Sequence, residues 1–144
     1  MKGSLNTMNY LKPYGFINRL KAIFKKRHTA DIKTQYEIYR IRTFDFHIDF
    51  TKNEKAYFKY DGIPYETFSV YEHLNYLNRK GNTQVRLVFE GTNDKKFHEY
   101  CSLVEKLYKD IRFFGGYREK DLKIIYKFDN APIISDITWY KQLN

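Results

Sequence analysis

Residues 43–50 carry the pattern that most constrains the fold, because polar and apolar side chains alternate there without a break. In an extended chain, successive side chains point to opposite faces. The alternation therefore predicts a strand that buries one face in the core and presents a polar second face. The apolar face comprises Phe44, Phe46, Ile48 and Phe50, and the polar face comprises Thr43, Asp45, His47 and Asp49.

Strand and helix signals alternate along the rest of the chain. Further strands are predicted at 56–60, 84–90, 111–114 and 126–128. Helices are predicted at 70–80, from 94 to about 107, and at 119–125. A capping box from Ser69 to Glu72 opens the first helix and Gly81 closes it, while Asn93 caps the second.

Repeated β–α units of this kind favour parallel strands joined by right-handed crossovers. A complete eight-stranded barrel takes about 250 residues, and this chain has 144. We therefore predict an α/β fold with a partial (β/α) barrel-like parallel sheet and flanking helices. An N-terminal basic amphipathic helix is predicted in addition.

The basic character of the chain is concentrated at its N-terminus. The net charge is +9, and residues 1–30 contain seven Lys or Arg but no Asp or Glu. Residues 31–144 are close to neutral and are predicted to form the single α/β domain, whereas residues 1–30 are predicted to form a basic arm. Within that arm, residues 1–12 are polar and small and are predicted to be loose.

The helix predicted after Pro13 has apolar residues at helical spacing, namely Phe16, Ile17, Leu20, Ile23 and Phe24. Basic residues lie mostly on its other side, namely Arg19, Lys21, Lys25, Lys26 and Arg27. Two interpretations stay open for such a helix. It packs its apolar face on its own domain, or residues 12–30 bind nucleic acid or an anionic surface.

The single cysteine, Cys101, excludes an intramolecular disulfide and is predicted to be a buried small apolar residue. No apolar run reaches the roughly 18 residues that a membrane-spanning helix needs, and no secretory leader pattern opens the sequence. We therefore expect a cytoplasmic protein, with incorporation into a larger particle as an alternative.

Two segments resemble a known enzyme family. Arg42-Thr-Phe-Asp45-Phe-His47, followed by a strand that ends in Tyr60-Asp61-Gly62, resembles the second strand and following loop of phosphatidylinositol-specific phospholipase C-like phosphodiesterases. The pattern in that family is close to Arg-Tyr-Phe-Asp-Ile-Arg and then His-Gly. The related glycerophosphodiester phosphodiesterases have a Glu-x-Asp pair at the same strand.

The segments 70–81, 85–90 and 111–116 look like later helices and strands of the same barrel, so the resemblance spans residues 34–128. It implies a TIM barrel-like fold with its active site at the C-terminal mouth of the strands. There, one His acts as general base and another as general acid, while an Asp and an Arg or a metal ion hold the phosphate.

This sequence matches only part of that set. Asp45 matches the Asp of the family, and Glu90 matches the acidic residue that ends a later strand. His47 stands where an Arg or Asp is expected, and Tyr60 stands where the second His is expected. His28 lacks the sequence setting of the first catalytic His. The resemblance therefore implies a pseudoenzyme with degenerate catalytic motifs.

Physical chemistry supports that expectation. Phosphodiester cleavage needs one group to accept a proton, one to donate a proton, and positive charge beside the phosphate oxygens. The ordinary pKa of tyrosine, near 10, makes Tyr60 a poor replacement for an imidazole near 6.5. Each lost acid–base partner lowers the rate by roughly 10²–10⁴-fold.

Asp45, His47 and Glu90 form the sharpest candidate site, either as catalytic residues or as ligands of a divalent metal ion. Arg42 and Arg86 are the candidates for binding phosphate or another anion. The alternative is that these polar side chains fill the sheet interior as a structural ion-pair network, which is the commoner role of an Arg–carboxylate pair in a sheet.

Three functions remain open. The first is a non-catalytic or barely catalytic phosphodiesterase-like module in a larger assembly, and the second is a nucleic-acid or anionic-surface binder. The third is a phosphodiester hydrolase that uses Asp45, His47 and Glu90. A partial barrel leaves strand edges to cover. We therefore expect the N-terminal helix, a protein partner or a second copy of the chain to cover the opening, and the missing barrel half could be supplied in trans.

Overall fold

The computed structural model describes residues 1–23, 25–65, 70–132 and 136–144. Its strands are β1 (Lys2–Ser4), β2 (Thr43–Phe50), β3 (Ala56–Tyr60), β4 (Ile63–Pro64), β5 (Thr83–Phe89), β6 (Ile111–Arg118) and β7 (Thr138–Tyr140). Its α-helices are α1 (Phe16–Ala22), α2 (Ile32–Glu37), α3 (Val70–Lys80) and α4 (Asp94–Leu107), and a 3₁₀ turn covers Thr7–Tyr10.

Five of the strands run parallel, in the spatial order β7, β1, β2, β5 and β6. The sheet curls into half of a barrel, and β3 and β4 extend it as antiparallel strands beside β2. The prediction of a mixed α/β fold with a parallel, barrel-like sheet is therefore confirmed. No described helix combines the length and apolar character that crossing a bilayer requires.

Strand β2 lies at the centre of this sheet. It pairs with β5 along one edge, and with both β1 and β3 along the other. Asp45 lies between the last residue that pairs with β1 and the first that pairs with β3. There the Asp45 N–H donates to Thr7 Oγ1 over 2.7 Å, and the Asp45 carbonyl accepts from the Tyr60 hydroxyl over 2.7 Å. Side chains thus satisfy the backbone groups that no strand reaches.

The apolar face of β2 packs against the helices. Phe44, Phe46 and Ile48 are fully buried in the core, together with Leu74 of α3 and Phe97 of α4. The Phe97 ring stacks on Phe89 at 4.7 Å between ring centroids, and Phe46 meets Phe58 edge to face at 5.1 Å. The alternation at 43–50 therefore correctly predicted both a strand and the face that enters the core.

The long elements match their predictions closely. Helix α3 ends before Gly81, which adopts a positive φ of 72° and donates its N–H to the Leu77 carbonyl. The Asn93 side chain caps α4 by accepting from the Lys96 N–H. Ser69 lies outside the described residues, so the capping box from Ser69 to Glu72 stays a prediction. Strand β6 continues four residues beyond the predicted end at residue 114.

The prediction that residues 1–12 are loose is wrong. Strand β1 pairs in parallel with both β2 and β7, and Met8 is fully buried in the core. Residues 2–10 therefore belong to the same folded body as the sheet. A three-residue strand is too short to show the alternation by which longer strands are recognised.

Two predictions near the C-terminus are also wrong. No helix forms at 119–125, because the chain turns back on itself, so that the Arg118 N–H donates to the Lys123 carbonyl. Residues 126–128 are not a strand, although Phe128 is buried against Phe113 at 5.6 Å between ring centroids. Aromatic packing, and not strand pairing, accounts for the apolar residues there.

Helix α1 is shorter than predicted and does not bury its apolar side chains. Ala22 is its buried residue, whereas Phe16, Ile17, Leu20 and Ile23 are exposed. The interpretation that this helix packs its apolar face on its own domain is therefore wrong. Phe24 lies outside the described residues. Helix α1 lies beside β4, where the Tyr14 N–H donates to the Pro64 carbonyl over 2.8 Å.

We expect Gly3→Ala to lower the free energy of unfolding by about 1–3 kcal/mol, because β7 packs against the bare backbone of Gly3. A Cβ atom there would lie 2.7 Å from Cγ2 of Ile137 and 2.8 Å from the Trp139 ring. Urea unfolding would measure the loss. Lys2→Ala, at the exposed neighbouring position, is the control and should change stability by less than about 0.5 kcal/mol. Equal stability of the two variants would contradict the prediction.

Candidate functional site

The predicted polar residues of β2 and β5 meet on one face of the sheet. Asp45 and Arg86 are directly paired in the parallel register of the two strands. His47 lies two residues along the same face of β2, and Glu90 follows the end of β5. The structure therefore brings Asp45, His47, Arg86 and Glu90 together in one group.

Asp45 is the centre of the group and is completely buried. Its Oδ1 accepts from Nε2 of His47 over 3.0 Å and from Nε of Arg86 over 2.8 Å, and its Oδ2 accepts from the Asn6 N–H over 2.8 Å. Burial by itself would raise the pKa of Asp45, but His47 and Arg86 outweigh it and hold the pKa well below its usual range. The carboxylate is therefore ionised near neutral pH.

His47 lies between two carboxylates and is only 6% exposed. Its Nε2 contacts Asp45, and its Nδ1 lies 3.3 Å from Oε2 of Glu90 and 4.0 Å from Oε2 of Glu119. Burial would lower the pKa of His47, but Asp45 and then Glu90 overcome that effect and raise it to about 10. Both ring nitrogens therefore carry protons and donate them to carboxylates, so the side chain is a buried imidazolium.

Glu90 joins β5 to the turn between β3 and β4. Its Oε2 accepts from the Asp61 N–H and its Oε1 accepts from the Gly62 N–H, each over 3.0 Å. Asp61 and Gly62 are the two residues of that turn, and both have positive φ, as the type I′ turn of a two-residue hairpin requires. The Asp-Gly pair thus presents two backbone donors to one carboxylate, and Glu90 is held in place by three hydrogen bonds.

Tyr60 holds the backbone of this region together. Its hydroxyl donates to the Asp45 carbonyl over 2.7 Å and accepts from the Met8 N–H over 3.1 Å. Burial raises the pKa of this fully enclosed phenol well above 10. Its ring lies 5.0 Å from the His47 ring between centroids. Tyr60 therefore occupies the neighbourhood of the site without a proton that it could exchange near neutral pH.

His28 performs a structural role at the ends of the chain. Its Nδ1 accepts from the Leu143 N–H over 2.9 Å, and its Nε2 lies 2.6 Å from the Leu5 carbonyl. A nitrogen that accepts from a backbone N–H is unprotonated, so the ring is neutral and donates through Nε2. Burial lowers the pKa of His28, in agreement with that state. The ring ties the segment after β1 to the C-terminal tail.

The two arginines predicted to bind anions are separated. Arg42 precedes β2, at the opposite end of the strand from Glu90, where it donates to the carbonyls of Tyr36 and Ile41. Its guanidinium carbon lies 3.7 Å from the centre of the Tyr36 ring. Arg86 belongs to the group, and its guanidinium carbon lies 4.2 Å from the centre of the Trp139 ring of β7. The structure therefore does not bring Arg42 to the site.

The described residues contain no group of three or more His, Cys, Asp or Glu side chains arranged to hold a metal ion. The geometry of His47 gives a physical reason, because both of its nitrogens already contact carboxylates. A metal ion could bind His47 only by displacing one of these contacts and the proton on that ring nitrogen. His47 contacts Asp45 and Glu90, and Asp45 contacts Arg86, so the four side chains form an ion-pair network.

The space beside the network has a basic rim. A cavity of about 300 Å³ lies next to the C-terminal end of β1, and its walls include Asn6, Lys25, Lys26 and Lys141 together with one acidic residue, Asp61. On the other side, a cavity of about 310 Å³ includes Asp49, Lys59, Glu90, Arg118 and Glu119 in its walls. Positive charge thus collects towards the N-terminal segment, and charges of both signs surround Glu90.

No family model, no curated protein and no solved structure matches this chain. The resemblance to phosphodiesterases therefore depends on the short motifs around Asp45, Tyr60 and Glu90 and stays a hypothesis.

Proposed function

We propose that this chain is a non-catalytic phosphodiesterase-like module that acts by binding, and that its polar centre is a structural network. The observation that carries the proposal is the position of His47, whose two nitrogens are held by Asp45 and Glu90. A histidine held in this way has no lone pair with which to accept a proton from a substrate.

Neither His47 nor Tyr60 is suited to an acid–base role in phosphodiester cleavage. Acid–base catalysis is most effective when the pKa of the catalytic group lies near the working pH. The pKa of His47 is raised to about 10, and that of the buried Tyr60 lies higher than 10. The segment after β1 also reaches the network. Its residues there are Leu5 and Asn6, and neither side chain exchanges a proton near neutral pH.

The charges of the network also disfavour a bound phosphate. Arg86 is already neutralised by its 2.8 Å contact with Asp45. A phosphate placed beside His47 would meet the carboxylates of Glu90 and Glu119. The network instead connects the segment after β1, the strands β2 and β5, and the turn between β3 and β4. Its contribution is therefore to hold the half-barrel together.

Hydrolysis of bis(p-nitrophenyl) phosphate tests this proposal directly. We expect the native chain, with Mg²⁺, Mn²⁺ or Ca²⁺ added in turn, to release no more nitrophenolate than Glu90→Gln or His47→Gln. Circular dichroism should first establish that these variants fold. Metal-dependent turnover by the native chain that falls by roughly 100-fold or more in either variant would show a working catalytic site and refute the proposal.

A further inference from the structure

The segment around α1 exposes more large apolar side chains than folded proteins usually leave in one place. Phe16 is 70% exposed and Ile23 is 67% exposed, and they lie with other exposed residues on and beside one short helix. We call this set the α1 surface, and its members are Tyr14, Phe16, Ile17, Leu20 and Ile23. Each of these residues keeps between 45% and 70% of its surface exposed, so the set offers apolar area to an external partner.

Basic residues surround the α1 surface without any acidic residue nearby in sequence. Exposed lysines precede, interrupt and follow it, namely Lys12, Lys21, Lys25 and Lys26. Residues 1–30 contain no Asp or Glu to neutralise them. The partner must therefore offer both negative charge and an apolar region within the width of one helix.

Contacts with the body of the protein hold the α1 surface in a fixed direction. The Tyr14 N–H is bound to the Pro64 carbonyl before the helix begins. After it, the Arg27 side chain donates to the carbonyls of Asn9 and Leu11 over 2.8 and 2.6 Å. Ala22 packs inward between these two attachments. Because both ends are attached, little conformational freedom is lost when a partner binds.

A lipid bilayer with anionic headgroups meets both requirements. Its headgroup layer attracts lysine and arginine, and the acyl boundary just below it accepts Phe, Ile and Leu side chains. A nucleic acid would satisfy the lysines, but it stacks on aromatic rings and offers no apolar layer for Ile17, Leu20 and Ile23. We infer that the α1 surface docks on an anionic membrane, with its apolar side chains inserted at the headgroup boundary.

The seven residues of α1 span about 10 Å, which is about a third of the hydrocarbon core. The helix therefore lies on the membrane and does not cross it. This inference deepens the proposed binding function by naming the partner, and it requires no catalytic residue. Hydrolysis and membrane binding are measured separately, so each proposal can fail while the other stands.

Vesicle co-sedimentation of the full chain tests the inference. We expect binding to phosphatidylcholine vesicles that contain about 30% phosphatidylserine, and little binding to phosphatidylcholine alone. The pair Phe16→Ser and Ile17→Ser should weaken binding at least about tenfold, since two exposed apolar side chains lose their insertion. The set Lys21→Glu, Lys25→Glu and Lys26→Glu should weaken it by a similar or larger factor.

Matched controls come from α4 and the turn that follows it. Leu103→Ser with Leu107→Ser removes two exposed apolar residues elsewhere, and Lys95→Glu, Lys106→Glu and Lys109→Glu reverse three exposed charges elsewhere. Both control proteins should bind the vesicles within about twofold of the native chain. Circular dichroism would verify that all variants keep the native fold.

Three results would overturn the inference. The first is no binding to phosphatidylserine vesicles above that seen with phosphatidylcholine. The second is unchanged binding by the Phe16→Ser and Ile17→Ser protein, which would mean that only charge is involved. The third is tighter binding to a single-stranded oligonucleotide of about 20 nucleotides than to vesicles, at the same salt concentration, which would identify nucleic acid as the partner.

Discussion

Replacing Asp45 by asparagine should lower the free energy of unfolding by roughly 3–5 kcal/mol. The amide keeps the shape of the carboxylate but not its charge. Asp45 contacts His47 at 3.0 Å and Arg86 at 2.8 Å. The buried His47 and the partly buried Arg86 would then lack their shared counter-ion. Removing one charge from a buried network costs more stability than the intact network contributes, because the remaining charges stay desolvated without a partner.

Urea unfolding followed by circular dichroism would measure this loss. Asp49→Asn is the matched control, since Asp49 lies on the same face of β2 and contacts Lys59 at 3.1 Å in a partly exposed position. That pair should contribute no more than about 1 kcal/mol. If Asp45→Asn is as mild as Asp49→Asn, the network does not carry the structural role assigned to it.

Stability should also fall as the pH rises from about 7 to 8.5. The pKa of His47 is raised to about 10 in the folded protein from an ordinary 6.5. Its stabilising effect is therefore fully present below pH 6.5 and is lost as the pH rises towards 10. Between these values the folded state holds one proton more than the unfolded state, which gives a slope of up to about 1.4 kcal/mol per pH unit.

The other groups with shifted pKa values affect stability mainly outside the range from about pH 7 to 8.5. The pKa of Asp45 is held below its usual range, so its contribution is present above about pH 4 and is lost in more acidic solution. The pKa of His28 is lowered, so the unfolded state binds this proton more readily, and His28 reduces stability as the pH falls below about 6.5. Burial raises the pKa values of Cys101 and several tyrosines, so they reduce stability only above about pH 8.5.

Urea unfolding at pH 7.0, 7.5, 8.0 and 8.5 would measure the slope. His47→Gln removes the titrating group, so its stability should be nearly independent of pH in this range. The same slope in the native protein and in the variant would place the titration elsewhere and contradict the protonated state of His47.

The sequence by itself determined the elements whose pattern is local. The alternation at 43–50 predicted β2 and its polar face, and the helical spacing and capping residues predicted α3 and α4. Parallel neighbouring strands then made it possible to expect Asp45, His47 and Glu90 in one place. These predictions succeeded because side-chain periodicity depends only on the geometry of a single strand or helix.

Only the tertiary structure determined which groups form hydrogen bonds and ion pairs with one another. Strands β1 and β7 pair across more than 130 residues of sequence, as in Gly3 with Trp139, and each is too short to show a period. The protonation of His47 depends on two carboxylates from different strands, and the exposure of α1 depends on what the rest of the chain leaves uncovered. Local patterns show which side chains share a face, whereas partners, charge states and unburied surface arise only when distant segments meet.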